Sequence, residues 1–261
     1  MIFCSLYSGS SGNSIFVSSG NAKILVDVGM PGKSIEQALK SIGQKPEELD
    51  GIFITHEHTD HTKGVGVLSR KYDIPVYANE PTWRGMENTV GKIKEHNIKV
   101  ISEECVTIKD MDIINFSIPH DAASPSGYAV NDGKKKTCIA TDLGYFSDEV
   151  KLAIKDADVL LLESNHDIEM LKFGPYPYSL KRRILSEVGH LSNEDCGRAI
   201  VDITDGKQKK IILGHLSKTN NYPELAYQTV VNTIRESGLQ LNKDLILTVA
   251  KRDMPSNYIE F

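Results

Sequence analysis

The sequence predicts a layered α/β sandwich, and three observations carry the prediction. Short β-branched and aromatic runs alternate with segments of helical periodicity along the chain. Six apolar runs are followed at once by residues able to bind a metal: Asp27, His56 to His61, His120, Asp142, Glu163 and His215. That is the pattern of a site built at one edge of a sheet, where strands supply position and loops supply chemistry. Lastly, 261 residues of which 40% are hydrophobic suffice for a full core, and one domain spanning 1–261 is the expected organisation.

Residues 1–29 hold the apolar runs Ile2-Phe3, Ile15-Phe16-Val17 and Ile24-Leu25-Val26, separated by small residues, which read as three strands of a meander. Between the first two lies Ser8-Gly9-Ser10-Ser11-Gly12-Asn13-Ser14. Its glycines permit close backbone approach, and Ser10, Ser11 and Asn13 offer donors, which suits either contact with a phosphate or substrate or a plain turn. Asp27 ends the third strand and is placed to accept a hydrogen bond from a metal-bound histidine. Ser34-Ile35-Glu36-Gln37 starts a helix with a capping-box pattern; Ile35, Ala38, Leu39 and Ile42 form its apolar face and Gly43 stops it.

A strand at 52–55 leads into Thr55-His56-Glu57-His58-Thr59-Asp60-His61. Composition alone yields H-x-H-x-D-H in about one chain in two thousand, so a solvated polar loop is the weaker reading. Side chains splaying from a loop can turn His56 and His58 toward one ion and Asp60 and His61 toward another. Imidazole with carboxylate suits zinc, manganese or iron, whereas calcium or magnesium favours oxygen alone. Helices at 65–71 and 81–90 bracket a strand at 76–78. Strands follow near 99–101 and 111–118, the latter ending in Pro119-His120-Asp121; with His56 and His58, His120 makes the three protein ligands that zinc usually takes. A hairpin pairs 127–130 with 137–140 across Asn131-Asp132-Gly133 and delivers Asp142, whose two oxygens can each face a cation. The run Val159 to Leu162 ends in Glu163. Helices over about 178–187 and 194–204 flank Gly189 to Asn193, in which His190 is either functional or a helix-capping loop residue. Ile211-Ile212-Leu213 ends in Gly214-His215, and a helix from Pro223 to Glu236 and a strand from Leu245 to Val249 complete the layers.

Composition narrows the function classes. The four cysteines are far apart with no C-x-x-C pair, which excludes a disulfide framework or zinc ribbon and predicts buried thiols. No apolar run approaches the roughly 18 residues that span a bilayer, and the first residues lack a basic then apolar leader, so a cytoplasmic protein with no membrane partner is expected. A net charge of -5 argues against a polyanion partner. Two bound divalent cations would bring that balance to about -1, with the added charge focused at the site. Lys134 to Lys136, Lys181-Arg182-Arg183 and Lys207 to Lys210 are either solvated faces or the lining of a groove.

The stretch Thr55 to His61 resembles the signature of the metallo-β-lactamase fold superfamily, whose members pack two sheets between helices in a four-layered αββα sandwich. The resemblance assigns His56, His58 and His120 to a first metal and Asp60, His61 and His215 to a second, with Asp142 bridging. It implies two divalent ions, manganese or zinc with iron also compatible, sharing a hydroxide that acts as nucleophile. Such a pair serves ester, amide or phosphodiester hydrolysis alike. Glu163, Gly189 to Ser192 and Gly214 to Ser217 are similar to the tail of the nucleases of this fold, in which a glutamate and histidine pass a proton to the leaving oxygen. Asp60, Glu163 and His190 then form the catalytic group, and His190 joins Ser10, Ser11 and Asn13 in contacting substrate. Segments 8–14, 55–61, 163–167, 189–193 and 214–221 resemble the bacterial YycJ/WalJ-type nucleases over nearly the full length. That implies a metal-dependent phosphodiesterase, a 5′-to-3′ DNA exonuclease whose partner is nucleic acid with a 5′ end. The 73 positions from Asp142 to His215 leave no room for the large cap domain of RNA-processing relatives. An RNA-processing nuclease and a hydrolase of small thioester or lactam substrates are the alternative readings. A two-iron redox protein would bring a flavin domain, of which these residues carry no sign. Nothing in the sequence signals oligomeric state.

Overall fold

The computed structural model describes residues 1–261. Its first half runs β1 (Ile2–Tyr7), β2 (Ser14–Ser18), β3 (Lys23–Val26), α1 (Gly32–Ser41), β4 (Gly51–Phe53), α2 (Thr59–Thr62), α3 (Val65–Tyr72), β5 (Val76–Ala78), α4 (Glu80–Val90) and β6 (Ile98–Val100). The second half begins with β7 (Cys105–Ile108), β8 (Met111–Ser117), β9 (Ser126–Asn131), β10 (Lys136–Ala140), α5 (Asp148–Ile154), β11 (Val159–Glu163) and α6 (Ile168–Phe173). It ends with α7 (Tyr178–Ile184), α8 (Asn193–Ile203), β12 (Lys209–Gly214), α9 (Pro223–Glu236), β13 (Leu245–Val249) and β14 (Ser256–Glu260).

These strands form two seven-stranded sheets, ordered β14-β1-β2-β3-β4-β5-β6 and β13-β12-β11-β10-β9-β8-β7. The meander β1 to β3 is antiparallel, and β3 to β6 are parallel. In the second sheet β10 to β13 are parallel, and β8 is antiparallel to β9, which is antiparallel to β10. Strands so placed must be apolar on both faces, which is why β11 reads Val-Leu-Leu-Leu without alternation. Between the sheets, Phe3, Val17 and Phe53 meet Tyr128, Leu161 and Ile212 in one buried cluster. Outside, Ile35 and Leu39 of α1 cover Leu25 and Ile52, while Ile200 of α8 and Val230 of α9 cover Leu160 and Leu213. The result is the four-layered αββα sandwich.

Several local expectations need correction. Helix α1 begins at Gly32 behind Pro31, whose φ of -52° sets the entry, so the Ser34 capping box does not form. Strand β4 stops at Phe53, and the histidine stretch closes in a helical turn at Thr59–Thr62 instead of staying a loop. Strands β7 and β14 and helices α5 and α6 are additional. Cys105 is exposed, unlike the buried Cys4, Cys138 and Cys196. No helix is long and apolar enough to cross a membrane.

Three loops are fastened where the site forms: Asn13 N donates to Asp60 O, Val28 N to His61 O and Gly29 N to Asn13 O, each at 2.8 Å. The approach is so close that a β-carbon at Gly29 would overlap the Asp60 carbonyl. Gly29→Ala should therefore lower the unfolding free energy by about 3 kcal/mol or more, because backbone has to move. Urea denaturation checks this; a loss within about 0.5 kcal/mol would mean the loops yield freely.

Candidate metal centre

Asp27, Asp142 and His215 each follow a strand of the sandwich and each has positive φ, at 61°, 61° and 53°. Left-handed backbone costs a non-glycine residue on the order of 1–2 kcal/mol, so the fold bears strain at these three positions. With Glu163 closing β11 and His120 following β8, the strand ends bring their side chains to one rim.

Six of the eight histidines converge there: His56, His58, His61, His120, His190 and His215. Of the others, His96 is exposed beside Asp73, and His166 is buried outside the cluster, where desolvation holds its pKa down at about 4. His56, His58 and His120 form one set of facing donor atoms, and Asp60, His61 and His215 another, with the atoms of each set within 4.8 Å of one another. Asp142 stands between them. Its Oδ2 is 3.3 Å from His61 Nε2, and its Oδ1 is 3.7 Å from His120 Nε2. Asp60 Oδ2 lies 3.6 Å from both His61 Nε2 and His215 Nε2.

Around this ring, other groups fix the imidazoles through their outer nitrogens. His61 Nδ1 donates to Asp27 Oδ2 at 2.7 Å, and Asp27 in turn accepts from the Thr55 amide and hydroxyl at 2.9 Å. His120 Nδ1 donates to the Gly189 carbonyl at 3.1 Å. Glu163 Oε1 accepts from His215 Nδ1 at 2.7 Å and from His190 Nδ1 at 2.9 Å, while its Oε2 accepts from the amides of Leu143 and Leu191. The sequence pairs Glu163 with His190 alone; its hold on His215 comes from the adjacent register of β11 and β12. Anchored at Nδ1, His61, His120 and His215 present Nε2 inward, the arrangement that second contacts enforce on metal-binding imidazoles.

The interior is electrically incomplete without a cation. Asp27, Asp142 and Glu163 are buried, Asp60 partly so, and His120 Nε2, His215 Nε2 and Asp142 Oδ2 are buried atoms with no hydrogen-bond partner. Unpaired buried groups cost roughly 1–3 kcal/mol each, and here they face one another. Burial works against charge on His61, yet Asp27, Asp142 and Asp60 overcome it and raise the ring's pKa to about 9. His215 is likewise raised well above the usual range against burial, by Asp142, Asp60 and Glu163, whereas burial and then the neighbouring histidines hold His56 well below it. A proton on such a ring supplies the positive charge that a metal would bring. The nitrogen and oxygen donors, without sulfur, fit two divalent cations.

These groups open into a cleft of about 400 Å³ with no hydrophobic residue in its lining. Ser10, Asp60, Asp142, Arg183 and His190 all reach it. The other predicted loop residues do not. Ser11 is exposed outside the lining, and Asn13 is buried, with Oδ1 accepting from Gly9 N and Nδ2 3.1 Å from His61 Nε2. Its carbonyl oxygen is committed to the turn and its side chain lies outside the cleft lining, a correction to its expected contact with substrate.

The lysine runs separate in the same way. Lys136 starts β10 and Lys209 starts β12, so those clusters lie roughly 15–20 Å from Asp142 and His215 at the opposite strand ends, and they line no groove there. Only the 181–183 run reaches the cleft, through Arg183, whose Nε and Nη2 both donate to Asp121. The sequence left this run as either a solvated face or the lining of a groove, and Arg183 takes the second role; the signal that would have singled it out was Asp121, a carboxylate beside His120 with no ligand role of its own.

The profile described as the Metallo-beta-lactamase superfamily matches residues 7–215. A Bacillus anthracis protein named Exodeoxyribonuclease YycJ is 44% identical over 255 residues, 97% of each chain. A Streptococcus pneumoniae protein named Exodeoxyribonuclease WalJ is 46% identical over 92% of this chain and 90% of its own. This chain belongs to the YycJ/WalJ family of the metallo-β-lactamase superfamily. The metallo-β-lactamase fold extends to distant structures: Zn(2+)-bound PqqB from Methylobacterium extorquens superposes with a TM-score of 0.73 at 17% identity, covering 98% of this chain and 100% of that one. At that identity the likeness concerns the fold alone.

Proposed function

We propose that residues 1–261 act as one hydrolase domain, a metal-dependent phosphodiesterase that degrades DNA from a 5′ end in the cytoplasm. The observation that carries this reading is the pair His190 Nδ1 to Glu163 Oε1, 2.9 Å, set in the wholly polar cleft beside the donor clusters. The alkoxide leaving a phosphodiester is a strong base and needs a proton donor, whereas a departing thiolate does not. The relatives' names, exodeoxyribonucleases both, support the same choice.

His56, His58 and His120 would hold one cation and Asp60, His61 and His215 another, with Asp142 facing both; manganese and zinc suit these donors. When bound, two such ions acidify a water for attack and offset charge on the phosphoryl oxygens. The chain does the rest. Asp27 and Glu163 fix ring orientation, so the nitrogens meant for metal point inward. His190, held through Nδ1, keeps Nε2 for the proton handed to the leaving oxygen. The Ser10 hydroxyl, at the cleft wall, hydrogen-bonds a non-bridging phosphate oxygen.

Purified protein supplied with manganese should shorten a 5′-phosphorylated DNA duplex from that end, with His190→Ala slower by about 10²-fold or more. Digestion of no nucleic acid by protein carrying its metals would overturn the reading. So would thioester turnover indifferent to His190→Ala.

A further inference from the structure

The segment 168–188 leads directly into the cleft and is unlike the rest of the surface. Phe173 is 83% exposed and Tyr178 77%, the two most exposed large hydrophobic side chains of the protein, and Leu185 and Val188 are exposed on the same stretch. The hairpin is nonetheless built firmly. Leu171 and Ile184 are buried at its root, Asp167 caps α6 through the Met170 amide, and Lys181 Nζ donates to the Lys172 carbonyl across to α7. Pro175 and Pro177 stiffen the connection. Bare aromatics on a rigid hairpin are therefore a displayed surface.

Charge says what they are displayed to. Four cations (Lys172, Lys181, Arg182, Arg183) stand against two acids (Glu169, Glu187), a local balance of +2 in a chain of net charge -5. The Arg182 guanidinium sits 6.0 Å from the Tyr178 ring, and Arg183, one position on, is pinned by Asp121 at the cleft wall. No ion pair or hydrogen bond engages Arg183 Nη1. Tyr178 and Arg182, four positions apart, share one face of the helix, while Arg183 turns toward the cleft. Aromatic faces alternating with cations are the combination that holds single-stranded nucleic acid: rings stack on bases and cations follow phosphates.

We propose that this hairpin guides the substrate strand, Arg183 holding a phosphate at the cleft while Tyr178 and Phe173 stack on unpaired bases of the same strand. The proposal rests on the nuclease reading and adds to it that the strand is engaged through exposed base faces, as a single strand or frayed end.

The test is fluorescence anisotropy with the full-length, metal-loaded protein and two uncleavable phosphorothioate oligonucleotides of equal length, one of thymidines and one of abasic spacers. Replacing both rings (Phe173→Ala with Tyr178→Ala) should weaken thymidine binding about tenfold or more and leave the abasic strand unchanged. Tyr178→Phe, which keeps the ring, should bind like wild type, and Arg183→Gln should weaken both strands alike. Unchanged thymidine binding by the double variant overturns the proposal, as does an equal loss on both strands. A wild-type dimer that the double variant abolishes in sedimentation would show a self-association face and overturn it too. If wild type degrades DNA while the aromatic variant is indistinguishable, only the hairpin's role fails; if wild type neither binds nor cuts nucleic acid, the nuclease reading itself has failed.

Discussion

Asp142→Asn is expected to lower kcat for phosphodiester cleavage by about a thousandfold or more and to strip the protein of most of its metal. The reason is its position: Asp142 is buried, lies within 4 Å of His61, His120 and His215, and leaves Oδ2 without a hydrogen-bond partner. An amide offers one oxygen where the carboxylate offers two and contributes no charge, so a group placed to face two cations can face only one. Asp27→Asn should fall more mildly, by about 10–100-fold, because Asp27 acts through His61 instead of facing the centre. His58→Ala removes one member of the His56, His58 and His120 set and leaves the Asp60, His61 and His215 set whole, so metal analysis should find one equivalent fewer than in wild type. Wild-type activity with full metal content in Asp142→Asn would show that the two donor sets do not share this carboxylate.

Much of this site was legible because metal-competent residues sit where β-branched runs end. Asp27, His120, Asp142 and His215 each follow a strand, and the local sequence states both the strand and the residue after it. What escaped was decided by pairing at a distance. Glu163 and His215 are 52 positions apart and meet because β11 and β12 lie parallel with Glu163 opposite Gly214. The run 181–183 could be a solvated face or a groove lining, and the choice came only when the fold brought Asp121 against Arg183. Strand β14 is polar and half exposed and is held by pairing with β1, so it has no apolar pattern to read. Helix α5 did carry a signal, Ser147 before two acids, and Ser147 Oγ indeed accepts from the Val150 amide. The Ser34 to Gln37 capping-box pattern is overruled by Pro31, three residues earlier in the chain: the helix has already begun at Gly32.

Glu163→Gln should cost about 3–5 kcal/mol of stability in urea denaturation, a large share of what a fold of this kind possesses, and activity as well. The side chain is fully buried and accepts four hydrogen bonds, two imidazole N–H on Oε1 and two backbone N–H on Oε2. Neighbouring His190 and His215 hold its carboxyl well below the usual range despite burial, so the native group is an anion. A glutamine has one acceptor oxygen, and its amide nitrogen must face one of the two donor pairs. Turned toward Leu143 and Leu191, it leaves two buried amides unsatisfied at roughly 1–3 kcal/mol each. Turned toward the histidines, it forces them to the other tautomer, which puts a proton on the His215 Nε2 meant for metal and removes the anion that supports a positively charged His190. The protein must lose stability in the first case and metal and activity in the second. His190→Ala separates the two roles: its ring opens onto the cleft and gives Glu163 only one of its four hydrogen bonds, so activity should fall by about 10²-fold or more while the urea midpoint drops far less than in the glutamine variant. A glutamine variant as stable, as well metallated and as active as wild type would mean that Glu163 neither supports the strand end nor orients the rings.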